Sequence, residues 1–356
     1  MIEVDVEHPV GRVTLAGSFA SEGRLTALFG RSGAGKTSLV NIIAGLTRPR
    51  RGRVVVDGAV LVDTAAGVFV PAHRRRVGYV FQEGRLFPHL SVAGNLAYGA
   101  WFTPRRERRA AREEIIALLG LERLLAARPH ELSGGERQRV AVGRALMASP
   151  RLLLMDEPLA SLDDERKREI LPYIERLRDE VGVPIVLVSH SVGEVARLAA
   201  TVVLIAEGRI LAAGPPAEVL GHVDRTTADV GPTAVVEATV AAIEPDGLAR
   251  LETAAGPLLM PADGLVAGQR IRIAIDAADV MVADRVPAGL SALNVLPATI
   301  AAIDPPKGAA QTVRLDCSGV AVAARITRRS VAALGLAPGK PVQAVIKGVA
   351  LFRGRG

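Results

Sequence analysis

The 356-residue chain is 49% hydrophobic and 23% charged, an ordinary globular composition long enough for two or more domains. Its net charge of +7 is spread along the chain with no basic tail, and aromatic residues make up 3%, so nothing in it calls for a nucleic-acid partner. The one cysteine, Cys317, excludes an intramolecular disulfide, and no apolar run approaches the roughly eighteen residues of a membrane span.

Met1-Ile2-Glu3-Val4-Asp5 carries acids early and opens no long apolar stretch, so no signal peptide is expected. Leu25–Phe29, Val77–Phe81, Leu152–Met155 and Ile185–Ser189 are apolar almost without alternation, the pattern of strands buried on both faces. Helical patterns lie between them. One runs from about Pro104 to Leu119, with Thr103 as its cap, Pro104 in its first turn and Gly120 at its end. This alternation predicts an α/β domain with a mainly parallel sheet over residues 1–220, and a helical insertion at about 84–148.

Composition changes at 221–232, which reads as a linker, and residues 233–356 turn to short β-like runs between Gly and Pro. Ala238-Thr239-Val240-Ala241-Ala242-Ile243 returns as Ala298-Thr299-Ile300-Ala301-Ala302-Ile303. Leu265-Val266-Ala267-Gly268-Gln269 is echoed by Leu336-Ala337-Pro338-Gly339-Lys340. The second copy is longer by about eleven residues, placed at Ile326–Leu334. A duplicated β unit packed as one small all-β, barrel-like (OB-type) domain is expected.

Gly30-Arg31-Ser32-Gly33-Ala34-Gly35-Lys36-Thr37 fits G-x-x-x-x-G-K-[ST] between an apolar strand and the helical run Ser38–Leu46. Glycines let backbone N–H groups curl round phosphate oxygens, and the helix aims its N-terminal dipole at the same anion. A glycine-rich turn with an incidental lysine is the plain alternative, and the strand–loop–helix setting disfavours it. Gln82, Asp156-Glu157 and His190 each follow one of the buried strands, where ligands sit in open α/β sheets. Ser133-Gly134-Gly135 opens the helical run Glu136–Met147, a second anion site whose glycines allow close approach.

Leu132-Ser133-Gly134-Gly135-Glu136-Arg137-Gln138, taken with the loop and the acidic strand end, resembles the signature of the ATP-binding-cassette (ABC) ATPases. The resemblance implies an α/β P-loop NTPase with a helical insertion that uses ATP and Mg²⁺. It places Gly30, Arg31, Ser32, Gly33, Ala34, Gly35, Lys36, Thr37 and Ser38 around the phosphates, and Thr37, Gln82 and Asp156 at the metal. Glu157 becomes the general base, Gln82 the residue meeting metal and water, and His190 the γ-phosphate sensor. Ser133, Gly134, Gly135 and Gln138, with Asp163 in the run Ser161-Leu162-Asp163, would complete the site of a second copy, hence a homodimer. The family sets an aromatic residue on adenine, whereas residues 1–18 hold no Tyr, Phe or Trp, and His8 is their only ring.

Arg76–Gln82 and Arg85–Val92 look like the ATPase of bacterial molybdate importers, and Ser291–Phe352 resembles a small molybdate-binding module, about 289–353. That resemblance implies transmembrane permease subunits received at Gln82–Gly99. It also implies a periplasmic or extracellular molybdate-binding protein acting indirectly, no nucleic acid, and a peripheral place on the cytoplasmic face of the bacterial inner membrane. Ser291, Asn294 and Lys347 are the candidate ligands for molybdate in the C-terminal domain, supplying hydroxyl, amide and ammonium donors. Other readings stay open at this point. They are import of sulfate, tungstate, a polyamine or a sugar, a non-transport cassette, a passive oxyanion binder, and a C-terminal domain that only dimerises or regulates.

Overall fold

The computed structural model describes residues 1–11, 13–101, 103, 111–160, 162–221, 232–262, 264–286, 289–347 and 352–355. Two units are distinguished: Met1–His190 with Leu198–Gly214, and Ser191–Arg197 with Pro215–Gly356.

In chain order the first unit begins with strands β1 (Ile2–Val10), β2 (Val13–Ser21) and β3 (Leu25–Phe29), then helix α1 (Lys36–Ala44). Strands β4 (Arg51–Val56), β5 (Ala59–Asp63), β6 (Val68–Phe69) and β7 (Val77–Val80) follow. Next come helices α2 (Val92–Trp101), α3 (Arg112–Leu119) and α4 (Gly134–Met147), all within the expected insertion. The chain returns to the sheet through β8 (Leu152–Asp156), α5 (Asp164–Glu180), β9 (Ile185–Ser189), β10 (Thr201–Ala206) and β11 (Arg209–Gly214), while α6 (Val192–Leu198), between β9 and β10, falls in the second unit except for Leu198.

The strands form one sheet in the order β6-β5-β4-β1-β2-β11-β10-β3-β9-β8-β7. From β10 to β7 every neighbouring pair is parallel. From β6 to β2 the pairs are antiparallel, so the sheet is mixed rather than mainly parallel. The sign of that antiparallel half is the alternation Ile2-Glu3-Val4-Asp5-Val6-Glu7, in which Ile2, Val4 and Val6 are buried and the acids are not. Leu39, Ile42 and Ile43 of α1 pack into the same core fully buried, each worth roughly 1.5–3 kcal/mol. Arg75, also buried, closes the far end of α1 by donating to the carbonyls of Ile42 and Ile43. Only the part of the predicted 104–119 helix from Arg112 onward can be compared, since 104–110 lie outside the described residues. It ends as expected at Gly120, φ 59°. The Thr103 hydroxyl donates to the Ala148 carbonyl at 2.9 Å.

The parallel register decides where the chemistry sits. Phe29 lies opposite Ser189, Asp156 opposite Val188, and Val80 opposite Met155. The residues that follow these strands therefore leave the sheet at one edge.

The second unit takes in α7 (Pro216–Gly221), which packs on its strands. Its first repeat is β12 (Thr233–Ile243), β13 (Leu248–Thr253), β14 (Leu258–Pro261), β15 (Arg270–Asp276) and β16 (Val280–Ala283). Its second is β17 (Asn294–Ile303), β18 (Ala310–Cys317), β19 (Val320–Thr327), α8 (Arg328–Ala333), β20 (Pro341–Ile346) and β21 (Phe352–Arg355). Two five-stranded sheets result, β14-β13-β12-β15-β21 and β16-β20-β17-β18-β19. Each takes its last strand from the other repeat. A single apolar core runs through both.

The two repeats match in fine detail. Register slips between Val240 and Ala242 in β12 and between Ile300 and Ala302 in β17, the same place in each copy. The freed backbone of Val240 pairs with Gly268 and Gln269, and that of Ile300 with Gly339 and Lys340. Helix α8 occupies the stretch where the longer copy was expected to hold its extra residues. Cys317 is fully buried, and burial pushes its thiol up to about 11.

A fragment starting at residue 289 lacks β16 and leaves β20 as an open edge. Circular dichroism and gel filtration should find it unfolded or oligomeric, while a fragment of residues 232–356 melts cooperatively. A stable monomer from residue 289 onward would show that the strand exchange is dispensable.

Candidate functional site

Strand β3 is buried along its whole length and delivers the chain to Gly30. There φ is 152°, and a Cβ would stand 2.0 Å from the Ile205 carbonyl oxygen, so only glycine fits. Gly33 and Gly35 also take positive φ, and Gly35 is the residue on which α1 begins. Lys36 is 4% exposed, and its Nζ donates to the carbonyls of Gly30 (2.7 Å) and Arg31 (2.8 Å). Arg31, Ser32 and Thr37 lie at the surface, with Ser38 half-buried in the first turn of α1 and Ala34 buried.

Strand β8 brings two carboxylates to the same place. The Thr37 hydroxyl donates to Asp156 Oδ1 at 3.2 Å. Burial pushes Asp156 above the usual carboxylate range, against the hydrogen bonds it accepts from Tyr79 and Thr37. Glu157 adopts φ 46°, a strained value for a residue with a side chain, while its N–H donates to the Val188 carbonyl. That turn sets its carboxylate between Lys36 and His190. Oε1 is 3.9 Å from Lys36 Nζ and Oε2 is 3.5 Å from His190 Nδ1. Four residues expected at the site, Lys36, Asp156, Glu157 and His190, are thus joined within one unit.

Gln82 leaves β7 into a cleft of about 310 Å³ that it lines with Gly134, Gln138, Pro158 and Leu162. The signature helix supplies the opposite wall. Ser133 caps α4 through a reciprocal pair. Its hydroxyl accepts from the Glu136 N–H, and the Glu136 carboxylate accepts from the Ser133 N–H at 2.8 Å. These contacts hold the Glu136 carboxyl below its usual range. Gly134 and Gly135 serve packing as well as access, because a Cβ on either would meet Leu162 (2.9 Å) or Ile170 (3.3 Å). Gln138 is buried in the lining of that cleft, with its Nε2 lacking a protein partner. Asp163 caps α5 by accepting from the Arg166 N–H, and Ser161 lies outside the described residues.

Two contributors were missed by motif reading. Arg144 of α4 spans the carbonyls of Arg85 (2.8 Å) and Gly84 (3.0 Å) and lies 5.1 Å from the Phe87 ring, tying the loop after Gln82 to the signature helix. A single arginine in the apolar stretch Val140–Met147 was the available signal. Tyr79, on β7, reaches Asp156. His8 lies on β1 opposite Leu15, and its Nδ1 is buried without a protein partner.

In the second unit two of the candidate oxyanion ligands fall at one end of a strand pair, where Asn294 of β17 lies opposite Ile346 of β20, the residue before Lys347. Asn294 is held at both ends of its amide. Its Oδ1 accepts from the Leu259 N–H at 2.6 Å and its Nδ2 donates to the Leu259 carbonyl at 2.9 Å, clamping β17 to the edge strand of the other sheet. Ser291 and Lys347 stay exposed, and the Lys347 charge acts on Asp279, whose carboxyl burial raises above the usual range.

Residues 18–160 match the family model of the ABC transporter and residues 290–352 that of the TOBE domain. The chain is 54% identical over 355 residues to the molybdenum import ATP-binding protein ModC of Mesorhizobium japonicum, covering 99% of this chain and 96% of that one. Against the protein of the same name from Rhizobium meliloti it is 54% identical over 357 residues, with 98% and 99% covered. Among solved structures it is similar to cbiO1 from Clostridium perfringens, described as part of the ABC transporter complex cbiONQ. The TM-score is 0.54 at 27% identity, over 62% of this chain and 90% of that one.

Asn294→Ala leaves the Leu259 N–H and carbonyl without their partner. Urea unfolding should register a loss of about 2–4 kcal/mol in the C-terminal unit. An unchanged midpoint would mean that the amide is not a clamp.

Proposed function

This chain belongs to the family of molybdenum import ATP-binding proteins, and on that premise we propose that it is the ATP-hydrolysing subunit of a molybdate importer, acting as a homodimer on separate permease subunits. The observation that carries the reading is the placement of Glu157 between Lys36 and His190 at the end of β8.

The glycine loop and the N-terminus of α1 take the phosphates of ATP, and Lys36 turns its ammonium from the Gly30 and Arg31 carbonyls to phosphate oxygens. Glu157 is the base that polarises the attacking water. Lys36 lies on one side of it, and His190 on the other orients its second oxygen and meets the γ-phosphate. Thr37 hydroxyl, Asp156 carboxylate and Gln82 amide are hard oxygen donors, which suits Mg²⁺. Among the described residues no group of three or more His, Cys, Asp or Glu could hold a metal by itself. When bound, Mg²⁺ neutralises charge on the β- and γ-phosphates.

One protomer already surrounds its own phosphates with the glycine loop, so the anion site at Ser133 serves a partner. The capping pair uses the N–H groups of Ser133 and Glu136 and takes nothing from those of Gly134 and Gly135. These, with the Ser133 hydroxyl proton, meet the γ-phosphate held by a second copy. No helix among the described residues is long and apolar enough to cross a membrane. The stretch Gln82–Gly99 forms part of the groove for the permease, and within it the Phe87 and Tyr98 rings pack with centroids 4.4 Å apart. The external molybdate-binding protein acts through that permease, and the chain works at the cytoplasmic face. In the C-terminal unit, molybdate bound near Ser291 and Lys347 slows the motor.

Glu157→Gln should bind ATP, accumulate as dimers by gel filtration and lose turnover by about 10²–10⁴-fold. Hydrolysis at the normal rate would remove Glu157 as the base. Equilibrium dialysis of the full chain against molybdate, tungstate and sulfate should show selective uptake of the first two. Uptake of none would remove the regulatory role and leave the motor standing.

A further inference from the structure

Both oxygens of Asp156 are held, and from different elements. Oδ1 accepts from Thr37 on α1, while Oδ2 lies 3.2 Å from the Tyr79 hydroxyl on β7. The same hydroxyl is 3.3 Å from Asn41 Oδ1. Thr37 and Asn41 are four residues apart on α1 and share one face of it. A phenol has one proton, and between an amide oxygen and a carboxylate the charged acceptor makes the stronger bond. The hydroxyl therefore sits where α1, β7 and β8 meet, with its proton directed chiefly at Asp156.

The ring has little freedom. It stacks on Phe81 with centroids 4.2 Å apart and planes 25° from parallel. The Arg85 guanidinium covers the Phe81 ring at 4.2 Å. Phe81 is followed directly by Gln82, so one stacked column links the orientation of the Asp156 carboxylate to the start of the Gln82 loop.

We propose that Tyr79 is the positioning residue that fixes the Asp156 carboxylate for the magnesium ion accompanying ATP. This rests on the reading that Thr37 and Asp156 serve that ion. A carboxylate bound at one oxygen alone can rotate about its last side-chain bond. Held at both, it presents one orientation. Partners behind a metal ligand commonly set metal affinity in this way, and losing one costs about 10–100-fold.

The test is Tyr79→Phe in the full chain, which keeps the ring stack and removes only the hydroxyl. Mn²⁺ stands in for magnesium, read by electron paramagnetic resonance in the presence of ATP, alongside ATP binding in EDTA and thermal melting. The expected result is Mn²⁺ affinity lower by about tenfold or more, with metal-free ATP binding and the melting temperature unchanged. Asn41→Ala, which leaves the hydroxyl its carboxylate partner, should hold Mn²⁺ affinity within about twofold. Wild-type Mn²⁺ affinity in Tyr79→Phe, while Asp156→Asn loses it, overturns the role of Tyr79 alone. Wild-type affinity in Asp156→Asn overturns the metal reading and this proposal with it. Equal losses of Mn²⁺ affinity and metal-free ATP binding in Tyr79→Phe, or a loss in Asn41→Ala as large as its own, also overturn it, because the hydroxyl would then support the loop in general.

Discussion

A buried ammonium is the constraint around which the first unit is organised. Lys36 is almost out of solvent, and an unpaired charge there would cost several kcal/mol. Its protons must find oxygen, and the loop supplies it by curling until the Gly30 and Arg31 carbonyls face inward. That curl is open only to glycine at Gly30, where the Ile205 carbonyl leaves no room for a Cβ. The same charge draws the Glu157 carboxylate across from β8, which lies two strands away in the sheet. One requirement thus bears on the loop, the start of α1 and the position of Glu157.

The helical insertion answers to that site through α4. Its first turn is capped by Ser133, and its interior carries Arg144 to the backbone of Gly84 and Arg85. A guanidinium bridging two carbonyls is stiff because its donors lie in one plane. The loop that begins at Gln82 is held at its own edge by this fork and at its root by the Tyr79–Phe81 stack. Helix α2 packs beside the same helix.

The second unit solves a different problem. A single small repeat cannot bury enough apolar surface to stand alone. Two copies share one core, and each lends the other a strand, which covers the edge of β15 in one sheet and of β20 in the other. Identical bulges in β12 and β17 bend the two longest strands at equivalent points. Asn294 locks β17 to β14 by imitating a backbone pair.

Much was legible before any coordinates. The phosphate loop, the acidic strand end and the signature are contiguous runs, because wrapping an anion or capping a helix needs neighbouring residues. Buried strands showed as unbroken apolar stretches, and the duplication as a recurring hexapeptide. What stayed hidden has a common cause. Tyr79 meets Asp156 across 77 residues, Arg144 meets Gly84 across 60, and Asn294 meets Leu259 across 35. A tyrosine, an arginine or an asparagine carries no local mark of a partner so distant. Sequence alone therefore determined which chemistry the chain holds, since short motifs contain it. Only the tertiary structure decided which side chains orient that chemistry, because their bonds exist only once strands and helices far apart in sequence are packed together.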